Sequence, residues 1–344
     1  MIFDGHNDLL TRLWLSSAED PVHEFIHGTL AGHLDLNRCR QAGWMGGLFS
    51  IFLPPFAYLQ KHHPEKLFDL SATDFTAQQI IEICSRQMEL AQQLQQRSEG
   101  QIQICSSIEQ VKACVEHQQL AIVLHLEGAE VLEYVPELLD QFYQQGLRSI
   151  GPLWNRKSLF GDGLNAAFPH SPDTGLGLTD QGKQLIQNCA DKGMIIDVSH
   201  MNERAFWDTV EINRQPIVAT HSNVHALCPQ ARNLTDPQLQ AIQHSHGMVG
   251  VNFDVAFLRS DGQRNIDTSL DVIIDHLDYL IEHLGEDHVG FGSDFDGCLL
   301  PNALSGVSDM QVLIERMQQR HFSNTLIEKI SYQNWFKVIN QIWT

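Results

Sequence analysis

Basic residues are scarce in this sequence: 22 Lys and Arg stand against 42 Asp and Glu, a formal charge of −20, and no basic run is present. Holding a phosphate backbone takes clustered Lys or Arg, so nucleic acid is excluded as a partner. The acidic excess does not select a cationic substrate, because most such carboxylates are solvated surface groups. Long apolar runs are missing as well. No window of about 18 uninterrupted apolar residues occurs, so no membrane span is expected. The N-terminus reaches the polar His6-Asn7-Asp8 too early to hold a basic and apolar leader, and a cytoplasmic location is expected. The seven cysteines are widely spaced with no C-x-x-C pair, which argues against a thiolate zinc site or a dithiol redox centre. There is no Walker motif, and Gly175-x-Gly177 lacks the helix start of a dinucleotide loop. Nor is there a repeat, linker or biased tract, so residues 1–344 are expected to form a single domain.

What is present is an alternation of short apolar runs with longer amphipathic stretches, the pattern of βα units. Eight strands are expected: Met1 to Asp4, Gly47 to Phe52, Leu120 to Leu126, Ser149 to Leu153, Met194 to Val198, Pro216 to Thr220, Met248 to Phe253 and His288 to Gly292. Helices are expected over Thr76 to Gln95 and Thr179 to Lys192, the second ending at Gly193. The fold class is therefore α/β, a (β/α)8 TIM-type barrel with small decorations. One decoration is Gln101 to Cys105 with a helix from about Ile108. Asn155 to Gly177 is the longest stretch without periodicity, and long loops of this kind are usually functional.

The chemistry gathers where strands end. His6 and Asp8 lie two apart at the first strand's exit, a spacing that lets both face one centre, although an N-capping Asp would explain Asp8 alone equally well. Glu127 follows the run Ala121 to Leu126, His200 follows Met194 to Ser199, and His221 follows Pro216 to Thr220. Asp294 closes the series after His288 to Ser293. Active sites of (β/α)8 enzymes are built at the C-terminal ends of their strands, so these six side chains share the expected rim.

Three imidazoles with carboxylates suit zinc better than calcium or magnesium. Five ligands exceed what one four-coordinate catalytic zinc needs, and two Zn2+ ions sharing a carboxylate resolve the count. Two zincs bring +4, while Asp8, Glu127, Asp294 and a bridging hydroxide bring −4. His23-Glu24-Phe25-Ile26-His27 matches H-E-x-x-H, but Pro21 and Gly28 bracket it too closely for a long helix, and it reads as loop.

Taken in order, Gly5-His6-Asn7-Asp8, His125-Leu126-Glu127-Gly128, Asp197-Val198-Ser199-His200, Thr220-His221-Ser222-Asn223, Ala231-Arg232-Asn233-Leu234 and Gly292-Ser293-Asp294-Phe295-Asp296-Gly297 resemble the membrane (renal) dipeptidases of the amidohydrolase superfamily. The likeness spans nearly the whole chain and points to a bacterial, unanchored member. It implies that His6 and Asp8 bind one zinc, His200 and His221 the other, and that Glu127 bridges both. It further implies that Asp294 moves protons, that Arg232 binds a substrate carboxylate or the oxyanion, and that the protein is a homodimer acting on dipeptides. In one place the chain departs from the family. Well-studied dipeptidases of the family carry a His just after the fourth strand, where this chain has Trp154, which would line the substrate site without donating in the same way. A lactone or N-acyl amino-acid hydrolase, and an inert metal-binding homologue, are the competing readings.

Overall fold

The computed structural model describes residues 1–28, 31–67 and 69–343. Its frame is a set of parallel strands: β1 (Ile2–Asn7), β2 (Trp44–Phe52), β3 (Ile102–Ile104), β4 (Leu120–Glu127), β5 (Leu147–Gly151), β6 (Ile195–Ile196), β7 (Val218–Ala219), β8 (Met248–Val251) and β9 (Val289–Phe291). Continuous ladders join β1-β2-β4-β5-β6 and β7-β8-β9. The two arcs meet through parallel bridges, Asp197 to Val218 on one side and Asn7 to Phe295 on the other. Backbone bonds hold both seams, from Val198 N to Val218 O at 2.9 Å and from Asp8 N to Phe295 O at 2.8 Å. Eight strands so closed make a TIM-type (β/α)8 barrel. As expected, the piece at 101–105 stays outside it: β3 pairs only with the start of β4.

Strands buried on both faces read as near-continuous apolar runs, and β4 is buried along its whole length. Between strands, amphipathic helices carry the punctuation read in the sequence. Thr76 and Gln79 form a capping box at the start of helix Ala77–Arg97, and Thr179 caps Asp180–Asp191 through Gly182 N. β5 begins two residues before its expected start, at Leu147, which pairs with Leu124, and ends two residues early at Gly151, because Pro152 has no N–H to continue the ladder. The loop expected at 23–27 is instead a helix, Pro21–His27. Asp20 caps it through His23 N, Pro21 opens it and Gly28 ends it in the left-handed conformation, so flanks that looked too close for a helix are its two caps.

The two ends of the barrel differ in chemistry. Toward the N-terminal ends of the strands, Phe3, Leu48, Ala121, Val123, Ile195, Val218 and Met248 pack with Trp335, Val338 and Ile339 of the C-terminal helix Asn334–Ile342. The Trp335 indole is fully buried and donates to Phe291 O at 2.9 Å. Gly5 and Gly250 leave the space it fills, since a Cβ on either would run into its ring. Above this apolar floor the same strands turn polar. In β4 the inward series Ala121, Val123 is followed by His125 and Glu127.

Candidate metal centre

Glu127 ends β4, and Gly128, at φ +80°, turns the chain directly behind it. Its two carboxylate oxygens face different neighbours. Oε2 lies 3.6 Å from His6 Nε2, which in turn lies 3.8 Å from Asp8 Oδ2. Oε1 lies 2.9 Å from His200 Nε2 and 3.4 Å from His221 Nε2. The latter two nitrogens are 3.1 Å apart, close to the spacing of about 3.3 Å between two nitrogens on one tetrahedral zinc. Possible ligand atoms of His6, Asp8 and Asp294 fall within 4.8 Å of one another, as do those of His6, Glu127 and His221.

Each side chain is held by its strand exit. Asp8 precedes helix Leu9–Leu15, yet its side chain makes no capping bond, so the N-cap explanation of this residue fails. Ser50 Oγ from β2 donates to Asp8 Oδ1 instead. His200 Nδ1 lies 2.9 Å from Asn155 Oδ1, and Asn252 Nδ2 donates to Asp294 Oδ2 at 2.9 Å. Asp294 has φ +59°, a region few non-glycine residues occupy, and its backbone N donates to His6 O at 3.0 Å. Gly297 is required beside it, because a Cβ there would collide with the Asp8 and Asp294 carboxylates.

All six side chains are buried, Asp294 least at 9 % exposed. Burial pushes Asp294 well above the usual carboxylate range; His6 opposes this, while Asp8 and Glu127 add to it. Burial would also raise Glu127, but His6 and bonds from the imidazoles hold it well below its ordinary value. Burial, with help from Arg232, lowers His200 to about 4, and burial and His6 hold His221 well down, leaving both as neutral lone-pair donors. For His6 burial acts downward, yet Glu127 and Asp8 outweigh it and hold it well above its usual value. Three acidic side chains converge here against one protonatable imidazole and the nearby Arg232 guanidinium, and the upward push on Asp294 shows that a third negative charge is poorly compensated. Both His6 ring nitrogens also lack a hydrogen-bond partner. Cations bound among these donors would supply the missing charge and satisfy the orphaned nitrogens, so the residues present fit metal coordination.

Arg232, in the loop after β7, is buried with Nη1 donating to Ser222 Oγ and Nη2 to His221 O, both at 2.8 Å. Its Nε has no partner. Burial lowers the guanidinium to about 10, which leaves it charged at neutral pH. Trp154 follows β5, half-buried, its ring centroid 5.8 Å from His200 and 4.9 Å from Phe52. All eight residues singled out in the sequence thus converge on the C-terminal rim, with Trp154 at the edge. His23 and His27 do not join them. They stand exposed on their helix with ring centroids 4.1 Å apart. Ser50 and Asn252 were missed, although a buried polar residue at a strand's C-terminal end is itself a signal, and half-buried Asn155, in the loop after β5, was missed with no such signal.

The whole chain, residues 1–344, matches the family model for membrane dipeptidases, peptidase family M19. A crystal structure of the dipeptidase AC, a metallopeptidase of the same family, is 37% identical at a TM-score of 0.91, covering 99% of this chain and 98% of that one. A metallopeptidase from Rhodobacter sphaeroides, liganded with a phosphinate mimic of the dipeptide L-Ala-D-Ala, is 36% identical at a TM-score of 0.92, covering 99% of each chain. An uncharacterised protein in the PQQ-III 3' region of Acinetobacter calcoaceticus is 67% identical over 283 residues, 82% of this chain and 90% of its own. Among the described residues no helix is long and apolar enough to cross a membrane. With a TIM-type barrel and a His, Asp and Glu cluster on its rim, this chain belongs to the membrane dipeptidase family, peptidase family M19.

Proposed function

We propose that residues 1–344 act as one catalytic unit, a binuclear zinc dipeptidase that accepts L,L dipeptides and L,D dipeptides. The observation that carries this reading is the split use of Glu127, one oxygen toward His6 and Asp8 and the other toward His200 and His221. His6 and Asp8 would hold one zinc, His200 and His221 the other, with Glu127 shared. When bound, the ions supply a Lewis acid for the scissile carbonyl and lower the pKa of a water from 15.7 to about 7.

The chain's own residues do the rest. Arg232 lies beside His221 with its Nε unpartnered, and a charged guanidinium so placed suits the C-terminal carboxylate of a dipeptide or the oxygen that becomes negative as the carbonyl is attacked. Cations bound beside Asp294 would offset the burial and the neighbouring carboxylates that push it up and favour its ionised form; with Oδ2 occupied by Asn252, Oδ1 is then left to take the proton of the attacking water and pass it to the leaving nitrogen. Trp154 and Phe52 form an apolar wall beside His200, which shields that side from bulk water.

The phosphinate ligand of the Rhodobacter relative mimics a dipeptide with a D-residue in second place, which supports the L,D part of the reading. A second reading keeps the site and changes the substrate to an N-acyl amino acid or a lactone. Trp154 favours it, since an indole stands where the family's dipeptidases place a histidine. A panel of L,L and L,D dipeptides, N-acyl amino acids and lactones, assayed with zinc-loaded protein, separates the two. Dipeptides are expected to give the highest kcat/KM. Faster turnover of lactones or acyl amino acids would select the second reading, and no hydrolysis at full zinc occupancy would indicate an inert homologue.

A further inference from the structure

Beneath His200 and His221 lies a carboxylate that the proposed mechanism does not use. Asp197 is buried at the seam between β6 and β7 and accepts from both strand exits. Ser199 N and Ser199 Oγ reach Oδ1 at 3.0 and 2.6 Å, Thr220 N reaches the same oxygen at 2.9 Å, and Thr220 Oγ1 reaches Oδ2 at 2.7 Å. The residues on either side of this knot, His200 and His221, are two of the candidate ligands. Thr220 Oγ1 has a further neighbour, His221 Nδ1, at 2.8 Å.

A hydroxyl has one proton to give. Facing a carboxylate oxygen, which only accepts, Thr220 directs that proton to Asp197; Ser199 Oγ, at 3.4 Å, is a poorer alternative. The hydroxyl can then offer His221 only a lone pair, and a neutral His221 must carry its proton on Nδ1. Nε2 is left bare, and Nε2 is the atom that faces Glu127 Oε1 and His200 Nε2. We infer that Asp197 and Thr220 are positioning residues: acting through one hydroxyl, they fix the His221 tautomer that can ligate a metal ion. The inference rests on the metal reading above and extends it to which proton arrangement the bare protein already holds. Without the relay, the competing tautomer would place a proton on Nε2, and binding an ion would first require moving it.

The test is a zinc titration, against a competing chelator, of protein stripped of metal. Thr220→Val removes the hydroxyl at nearly constant shape, Thr220→Ser keeps it, and Thr220→Ala serves should Val not fold. One of the two zinc-binding steps, the one that uses His221, is expected to lose about 10- to 100-fold in affinity in the Val or Ala variant, with the other changed by less than about three-fold, and Ser restoring the wild-type isotherm. Val and wild-type isotherms that superimpose would overturn the inference, as would a Ser variant as weak as Val. Wild-type protein that binds no zinc would overturn the metal reading and this one with it.

Discussion

Asp294→Asn is expected to keep its metal and lose most of its turnover. The substitution preserves shape and an oxygen ligand atom, so bonding from Asn252 can persist, but an amide cannot take up a proton from water and deliver it to an amine. General acid and base catalysis contributes about 10²- to 10⁴-fold, and a fall in kcat of that size is expected with KM within about three-fold of wild type. Metal analysis and steady-state kinetics on one preparation measure both halves. Unchanged turnover would remove Asp294 from the proton pathway. The strained backbone at this residue, φ +59°, is consistent with a side chain aimed by the fold rather than left to find its own rotamer.

A larger loss is expected from Glu127→Gln. Its two oxygens meet both candidate metal positions, and it is the residue on which burial, His6, His200 and His221 all act at once. The amide matches its size while withdrawing one negative charge and offering an N–H where a ligand oxygen stood. Fewer than two ions per chain should remain after dialysis. Turnover should fall by more than about 10³-fold, since the acidified water is lost with either ion. A Gln variant that keeps two ions and most of its activity would show that the carboxylate is not shared.

Much of this centre is legible in the sequence because each candidate ligand ends an apolar run. Ala121 to Leu126 reads as a buried strand, and Glu127 followed by Gly128 marks its exit. The same logic places His221 and Asp294, although β7 and β9 form ladders of only two and three residues. Their short pairing could not be read, because seams closed by single bridges leave no longer periodicity. The supporting residues were hidden for another reason. Ser50, Asn252 and Thr220 gain meaning only from partners 42, 42 and 23 residues away, and nothing local in the chain announces such pairs. Asp8 shows the limit of spacing arguments: a helix cap and a metal ligand leave the same mark in sequence, and only the side chain's turn toward Ser50 separates them. At 20–28 the misreading was one of scale, since a seven-residue helix needs no more than the two caps that seemed to rule it out.

Anomalous diffraction at the zinc edge, on crystals grown with zinc, tests the central claim most directly. Two peaks per chain are predicted, one contacted by His6 and Asp8, the other by His200 and His221, with Glu127 touching both. A single peak, or two peaks without a shared Glu127, would contradict it.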